Sequence, residues 1–188
     1  MAAGSSSRLG KPKQLLTYKG KSLLQHTVEV ATGSNARPVI VVTGADAGLI
    51  KKELPTDKVT IVDNEEWKEG RASSVRCGLN ALLHSAPSTD AMIIMVCDQP
   101  FVTTQLINDL LTTQHETGKS IITSFYKNIP GPPALFHKII FPELLALKGD
   151  AGARKIVERH ADDLATVPFP KGIIDIDTAA DYETLQQT

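Results

Sequence analysis

The chain has 188 residues, 41% of them hydrophobic and 22% charged, and a formal net charge of -1. That length suits one domain over residues 1–188, and the near-neutral balance excludes a globally basic nucleic-acid surface. No apolar run approaches the roughly 20 residues that span a bilayer, and no signal peptide is visible, so a cytoplasmic protein without a membrane partner is expected.

The opening stretch Ala2-Ala3-Gly4-Ser5-Ser6-Ser7-Arg8-Leu9-Gly10-Lys11-Pro12-Lys13-Gln14 crowds small residues and cations into a span with no helix or strand pattern of its own. Glycine and serine let the backbone approach an anion and aim several N–H groups at it. Arg8 can fork onto phosphate oxygens, and Lys13 can act as a point charge on a flexible stem. The physical reading is a loop wrapped around a polyphosphate. The plain alternative is a disordered Gly/Ser-rich end; against it stand Pro12 and the helical pattern of Leu15, Leu16, Leu23, Leu24 and Val28. Neither the P-loop pattern nor the dinucleotide fingerprint is present. Such a loop is expected to follow a buried strand, yet only Met1 precedes Ala2, so a central strand is expected to be missing from the sequence.

Further along, Ser22 reads as the N-cap of a helix through about Ala31. Pro38 to Thr43 is a β-branched run typical of a strand buried on both faces, followed by a helix over Ala45 to Leu54 and a strand at Val59 to Val62. Ser73 to Leu83 has helical spacing, and Ala91 to Cys97 is the strongest buried strand. Thr103 or Thr104 starts a helix through about His115, and Ser120 to Ser124 is a strand. Pro130 to Phe136 holds a Gly-Pro-Pro segment that cannot be regular helix. Helices over Ile139 to Leu147 and Ala151 to His160, a strand over Gly172 to Ile176 and a helix capped by Thr178 complete the chain. Alternating strands and helices predict an α/β protein, a three-layer, Rossmann-like arrangement around a mostly parallel sheet. Ligands of such sheets sit beyond the carboxyl ends of the strands.

Strand-end polar residues therefore carry the chemistry. Asp98 emerges from the strand ending at Cys97; there it can hold Mg²⁺, or simply cap the turn into the next helix. Alternation points Asp175 and Asp177 to one face, where Asp177 could join a metal site or merely cap the last helix. Asp63 and Asn64 end a strand ahead of Ser73 and Ser74, which could cap a helix whose N-terminus favours an anion. Arg154 could bind phosphate or pair with Asp150 four residues away. Cys77 and Cys97 read as free thiols rather than a disulfide, and no Cys/His spacing suggests zinc. His26, His84, His115, His137 and His160 form no cluster, and no Ser-His-Asp or Cys-His set is visible.

The stretch A-A-G-S-S-S-R-L-G-K-P-K-Q-L-L resembles the signature loop of nucleotidyltransferases with a nucleotide-diphospho-sugar transferase-like fold, closest to the MobA-like, molybdenum cofactor cytidylyltransferase branch. The resemblance runs from Ala2 to Tyr182 in separated motifs. C-D-Q-P at 97–100 matches the family's metal-binding aspartate motif, and D-I-D-T-A-A-D-Y at 175–182 resembles the segment that completes the metal site, a role carried to Asp177. N-E-E-W-K-E-G-R-A-S-S-V-R at 64–76 resembles the base- and ribose-recognising segment, although Arg71-Ala72 stand where many members have smaller residues. Gly131 to Phe136 resembles the acceptor-side loop, and G-D-A-G-A-R at 149–154 the G-D-x-G-A-R motif.

The resemblance implies a nucleoside triphosphate, CTP, held by Ala2, Ala3, Gly4, Ser5, Ser6, Arg8, Lys13, Asp63, Asn64, Ser73 and Ser74. Asp98 and Asp177 would hold Mg²⁺ against the α-phosphate, and Arg8 and Lys13 would offset charge on the departing pyrophosphate. A pterin-type acceptor, molybdopterin, would lie against Gln99, Pro100, Gly131, Pro132, Pro133, Asp150 and Arg154 and attack in line, with no protein nucleophile required. A molybdoenzyme or its maturation chaperone would be the partner. The rival readings are a sugar-1-phosphate nucleotidyltransferase and a non-catalytic nucleotide-binding or cofactor-delivery protein.

Overall fold

Ser22 opens the first helix by the device its sequence predicts. Its hydroxyl accepts the Gln25 N–H at 3.1 Å while the Gln25 side chain accepts the Ser22 N–H at 3.0 Å, and α1 runs over Leu23–Gly33. The computed structural model describes residues 1–4, 6, 9–55 and 57–187. Just before α1, β1 (Thr17–Tyr18) and β2 (Lys21–Ser22) form an antiparallel hairpin turned by Lys19 and Gly20, both at positive φ. Later helices also follow local signals. Thr103 caps α4 (Thr104–Thr117) by accepting the Leu106 N–H, and Gly118 ends it in the left-handed region.

The expected α/β architecture holds, with parallel pairing in its core. β3 (Ile40–Thr43) pairs in parallel with β4 (Thr60–Asp63). A second sheet has the order β5 (Ala91–Ile94), β7 (Ile129–His137), β6 (Ile121–Tyr126), β8 (Leu164–Pro168), with β6 and β8 parallel. β7 runs antiparallel to both neighbours, because Lys127 and Asn128 at positive φ fold β6 and β7 into a tight hairpin. Alternate residues of these strands face opposite layers. Ile121 and Phe136 pack against α3 (Arg71–Ser85), α5 (Phe141–Leu145) and α6 (Arg154–Arg159), whereas Ile122 and Leu135 pack against α4.

Several elements depart from the sequence reading. The Gly-Pro-Pro segment is no isolated loop but the middle of β7. There Pro132 and Pro133 lack ladder N–H groups, and the register slips between Thr123 and Ser124. Gly172 to Ile176 is not a strand. Pro170–Ile173 forms a 3₁₀ turn, and Gly172 sits so close to the Tyr126 and Phe169 rings that a Cβ would strike both. The strand in that region is β8, whose single buried residue, Val167, gives a weak apolar signal. The strand from Ala91 stops at Ile94, so Cys97 lies in a turn. The expected helices over 45–54, 139–147 and 151–160 shrink to α2 (Ala47–Ile50), α5 and α6 with flanking 3₁₀ turns.

Met1 and Ala2 join the two sheets. The Met1 nitrogen donates to the Met95 carbonyl at 2.7 Å, and the Ala2 N–H donates to the Val42 carbonyl at 2.8 Å. They stand where the end of the expected central strand would be. Beside them, between β3 and β5, lies an apolar cavity of about 410 Å³ lined by residues such as Leu24, Val28, Val41, Val75 and Ile94. Among the described residues, β3 pairs only with β4 and β5 only with β7. No helix of the described residues is long and apolar enough to cross a membrane.

Candidate active site

The opening loop is braced from within. Gln14, 1% exposed, donates through Nε2 to the Ala2 and Gly4 carbonyls at 2.9 Å each. Ser6, at φ 50°, accepts the Lys13 N–H at 2.9 Å and donates to Gln14 Oε1 at 3.3 Å. A non-glycine residue in the left-handed region is costly unless its surroundings hold it there, and these two hydrogen bonds do so. Ala3 is buried against Gly44, where a Cβ would come within 2.8 Å of both the Ala3 side chain and its carbonyl. The loop therefore rests directly on the carboxyl end of β3. Ser5 and Arg8 lie outside the described residues.

The same bracing aims Lys13. Its ammonium donates to Asp98 Oδ2 at 2.5 Å and to Asp177 Oδ1 at 3.0 Å, so acids 79 positions apart in sequence share one cation. Two further contacts set this up. The Ile176 N–H donates to the Asp98 carbonyl at 2.9 Å, and the fully buried Ile176 side chain anchors the Asp175–Asp177 segment beneath Leu16, Tyr18, Leu23 and Leu185. Thr178 rather than Asp177 caps α7 (Ala179–Gln186), in a capping box with Asp181. Burial works against the charge on Lys13. The Asp98 carboxylate and the hydrogen bonds to both acids outweigh it and raise the pKa above the ordinary lysine value. Burial, reinforced by Asp98, pushes the Cys97 thiol up to about 11, so this free cysteine is no nucleophile; Cys77 is free too.

Asp98 also lines a second cavity, of about 580 Å³, with Gln99, Thr123, Tyr126, Gly131, Pro132, Arg154 and Asp175. Burial, then the neighbouring Asp177 and Asp98 charges, raises the Asp175 pKa. Three residues expected on this side, Pro100, Pro133 and Asp150, are not among the described residues lining it. Pro133 is buried within β7, where its carbonyl accepts from the Ser124 hydroxyl at 2.9 Å, and Asp150 stands beside Gly70. Arg154 does not pair with Asp150 either; its Nε donates to Glu158 at 2.9 Å, one turn along α6.

The segment expected to meet the base and ribose is likewise internally bonded. Asn64, 4% exposed, donates to the Ser73 and Ser74 hydroxyls at 2.8 and 3.1 Å, locking the first turn of α3 to the end of β4. Asp63 accepts from Lys51 and from Thr43, both at 2.5 Å, and these bonds hold its carboxyl below the usual carboxylate range. Gln14, Thr123 and Tyr126 were not flagged by sequence reasoning. Gln14 alone had a signal, as an amide inside a loop rich in unpaired backbone groups.

Comparison with known proteins places this geometry in context. Nicotine blue oxidoreductase of Paenarthrobacter nicotinovorans is 28% identical over 199 residues, covering 100% of this chain and 91% of the relative. Purine catabolism protein PucB of Bacillus subtilis (strain 168) is 25% identical over 197 residues, covering 100% and 94%. The crystal structure of Rv0371c from Mycobacterium tuberculosis H37Rv superposes with a TM-score of 0.84 at 30% identity, over 100% of this chain and 95% of that one. A manganese complex of Rv0371C gives a TM-score of 0.78 at 26% identity over 99% and 95%. A family model described as the MobA-like NTP transferase domain matches residues 1–164, and because that span takes in the braced loop, Lys13 and Asp98, the chain belongs to this family.

Proposed function

We propose that the chain is a nucleotidyltransferase that moves CMP from CTP onto the terminal phosphate of a pterin-type acceptor, molybdopterin or molybdenum cofactor, with release of pyrophosphate. The observation that carries this reading is the Asp98–Lys13–Asp177 cluster, set beside a braced glycine- and serine-rich loop, with Asp98 also lining the 580 Å³ cavity. The two relatives bear different names, so the transfer chemistry rests on the site, while CTP and the pterin-type acceptor rest on the resemblance of the sequence motifs.

The two carboxylates fit a hard divalent cation. Magnesium is bound through one or two carboxylates plus substrate phosphates, and Asp98 and Asp177 already converge on one cation, the Lys13 ammonium. The manganese complex of the 26%-identical relative supports a divalent ion here. When bound, Mg²⁺ would offset negative charge on the α-phosphate. Asp98 and Asp177 would hold it, and Lys13, with Arg8, would turn to the phosphates that leave. The loop of Ala2, Ala3, Gly4, Ser5 and Ser6 would offer its N–H groups to the triphosphate. Asn64, Ser73 and Ser74 would fix the segment that meets the base, acting by position, since their side chains already bond one another. No covalent enzyme intermediate is needed; positioning and charge stabilisation suffice.

Pyrophosphate release from CTP, GTP, ATP and UTP, measured with Mg²⁺ and molybdopterin, tests the proposal. CTP should be preferred, and Asp98→Ala should lower turnover on the order of 10²-fold or more. Full activity of Asp98→Ala would end the reading. Glucose-1-phosphate as the better acceptor would make the protein a sugar nucleotidyltransferase, and CTP binding without pyrophosphate release would make it a binding protein.

A further inference from the structure

α7 is poorly equipped to seat itself. Of its eight residues only Leu185 is buried, at 1% exposure, and a short helix depends on packing to persist. Two polar side chains one turn apart supply further hold. The Tyr182 hydroxyl donates to the Thr17 carbonyl at 2.8 Å, and Gln186 Nε2 donates to the same oxygen. The centre of the Tyr182 ring also lies 5.4 Å from the Lys11 ammonium, within cation–π range. Lys11 and Thr17 stand on either side of Lys13 in the sequence, so α7 grips the end of the opening loop at two points.

The first turn of α7 holds Asp177. The Asp181 carboxylate accepts the N–H of Asp177 at 3.1 Å and of Thr178 at 2.7 Å, so the Asp177 backbone moves with the helix. The Asp177 carboxylate in turn accepts from the Lys13 ammonium at 3.0 Å. These contacts close a ring. It runs from Lys13 to Thr17 along the chain, from Thr17 to Tyr182 across a hydrogen bond, from Tyr182 to Asp177 through α7, and from Asp177 back to Lys13. With the ammonium turned away to phosphates, the Lys13 link opens and the Tyr182 link still ties α7 to the loop.

We infer that Tyr182 is a positioning residue for the cation site: by tying α7 to Thr17 it holds the Asp177 carboxylate beside that of Asp98. This rests on the reading that Asp98 and Asp177 take a divalent cation. The plain alternative is a tyrosine that only steadies the last helix, and the two differ in what they do to metal. Loss of a merely steadying tyrosine lowers Tm and leaves the metal affinity of the folded protein unchanged. Loss of a positioning tyrosine lowers that affinity, and does so only while Asp177 is there to be positioned.

The test is a Mn²⁺ titration of the full chain without nucleotide, well below Tm, with free Mn²⁺ read by electron paramagnetic resonance. Tyr182→Phe, which loses the hydroxyl and keeps the ring beside Lys11, should weaken Mn²⁺ binding roughly 5-fold, the worth of one hydrogen bond. Gln186→Leu, which removes the second donor to Thr17 and spares the tyrosine, should act in the same direction and carries the test if Tyr182→Phe folds poorly. In an Asp177→Asn background, Tyr182→Phe should weaken Mn²⁺ no further. Unaltered Mn²⁺ affinity in Tyr182→Phe, or a loss of the same size with Asp177→Asn already present, would overturn the inference. Absence of Mn²⁺ binding by the unmodified chain would overturn it together with the cation reading, whereas the expected losses without pyrophosphate release would count against the proposed reaction alone.

Discussion

The Ile176 N–H donates to the Asp98 carbonyl at 2.9 Å, so the backbone, not only the shared lysine, holds the two acidic segments together. The carboxylates of Asp98 and Asp177 then cannot lie farther apart than their 2.5 and 3.0 Å contacts with Lys13 allow. Two like charges this close need a cation between them. Lys13→Met removes that cation without removing the acids, so its Tm should fall in metal-free buffer and recover as Mg²⁺ or Mn²⁺ is added. The metal-induced rise should exceed that of the unmodified protein, in which the ammonium competes for the same oxygens. For a chain of this size each kcal/mol of binding linkage is worth about 2–4 °C. A metal response no larger than that of the unmodified chain would show that the acids do not share a cation site.

The Asn64 side chain predicts a different failure. It is buried and serves three hydrogen bonds, to Ser73, to Ser74 and from the Glu66 N–H at 3.1 Å. Asn64→Ala takes their partner from the Ser74 hydroxyl and the Glu66 N–H, while Ser73 keeps its 2.8 Å bond to the Gly70 carbonyl, at a cost of about 1–3 kcal/mol. Tm should fall accordingly, and the KM for nucleotide should rise as the first turn of α3 loosens. An unchanged Tm would mean that these bonds add nothing to the fold.

The acids and the loop were legible from sequence because the chemistry is local: a carboxylate after a buried apolar run, or glycines and serines beside cations, reads the same in any context. Their meeting was not derivable from the residues, since it depends on the Ile176–Asp98 bond between distant segments. β7 hid behind Pro130, Pro132 and Pro133, which lower strand propensity, and its turn is Lys127-Asn128 rather than an Asn-Gly pair. The strand assigned to Gly172–Ile176 fails because its apolar residues serve other contacts: Ile176 enters a core cluster, while Gly172 fills the space against two rings.

The Lys51–Asp63 pair gives a pH dependence of definite sign. The hydrogen bond from Lys51, then that from Thr43, holds the Asp63 carboxyl below its usual range. A folded pKa below the unfolded value of about 3.9 means that the charged form is favoured by folding. The contribution is therefore present above that value and lost as pH falls through the lower, folded pKa. The Tm difference between the unmodified chain and Lys51→Met should stay constant from about pH 5 to 8 and close towards about pH 3. Both side chains are nearly half exposed, so the difference should be small and shrink in roughly 0.5 M salt. A gap that persists at low pH would place the effect of Lys51 elsewhere than on Asp63.

The cavity between β3 and β5 makes the last prediction. Both strands are four residues long, and among the described residues each pairs with a strand on one side only, leaving the side towards an apolar space of about 410 Å³ without a strand partner. Unpaired strand edges offer N–H and C=O groups to an incoming strand, and unfilled apolar volume forfeits dispersion contacts that a well-packed core would make. Met1 and Ala2 already bond to Met95 and Val42 at the end of this space, which sets the direction of any chain running through it. Fusing about four alternating β-branched residues ahead of Met1 should therefore fill the gap, extend the ladders on both sides and raise Tm. A Gly/Ser segment of equal length should not, because it brings neither apolar volume nor strand propensity. Tm values for the two fusions decide the matter: if they agree, the space between β3 and β5 does not act as a strand site.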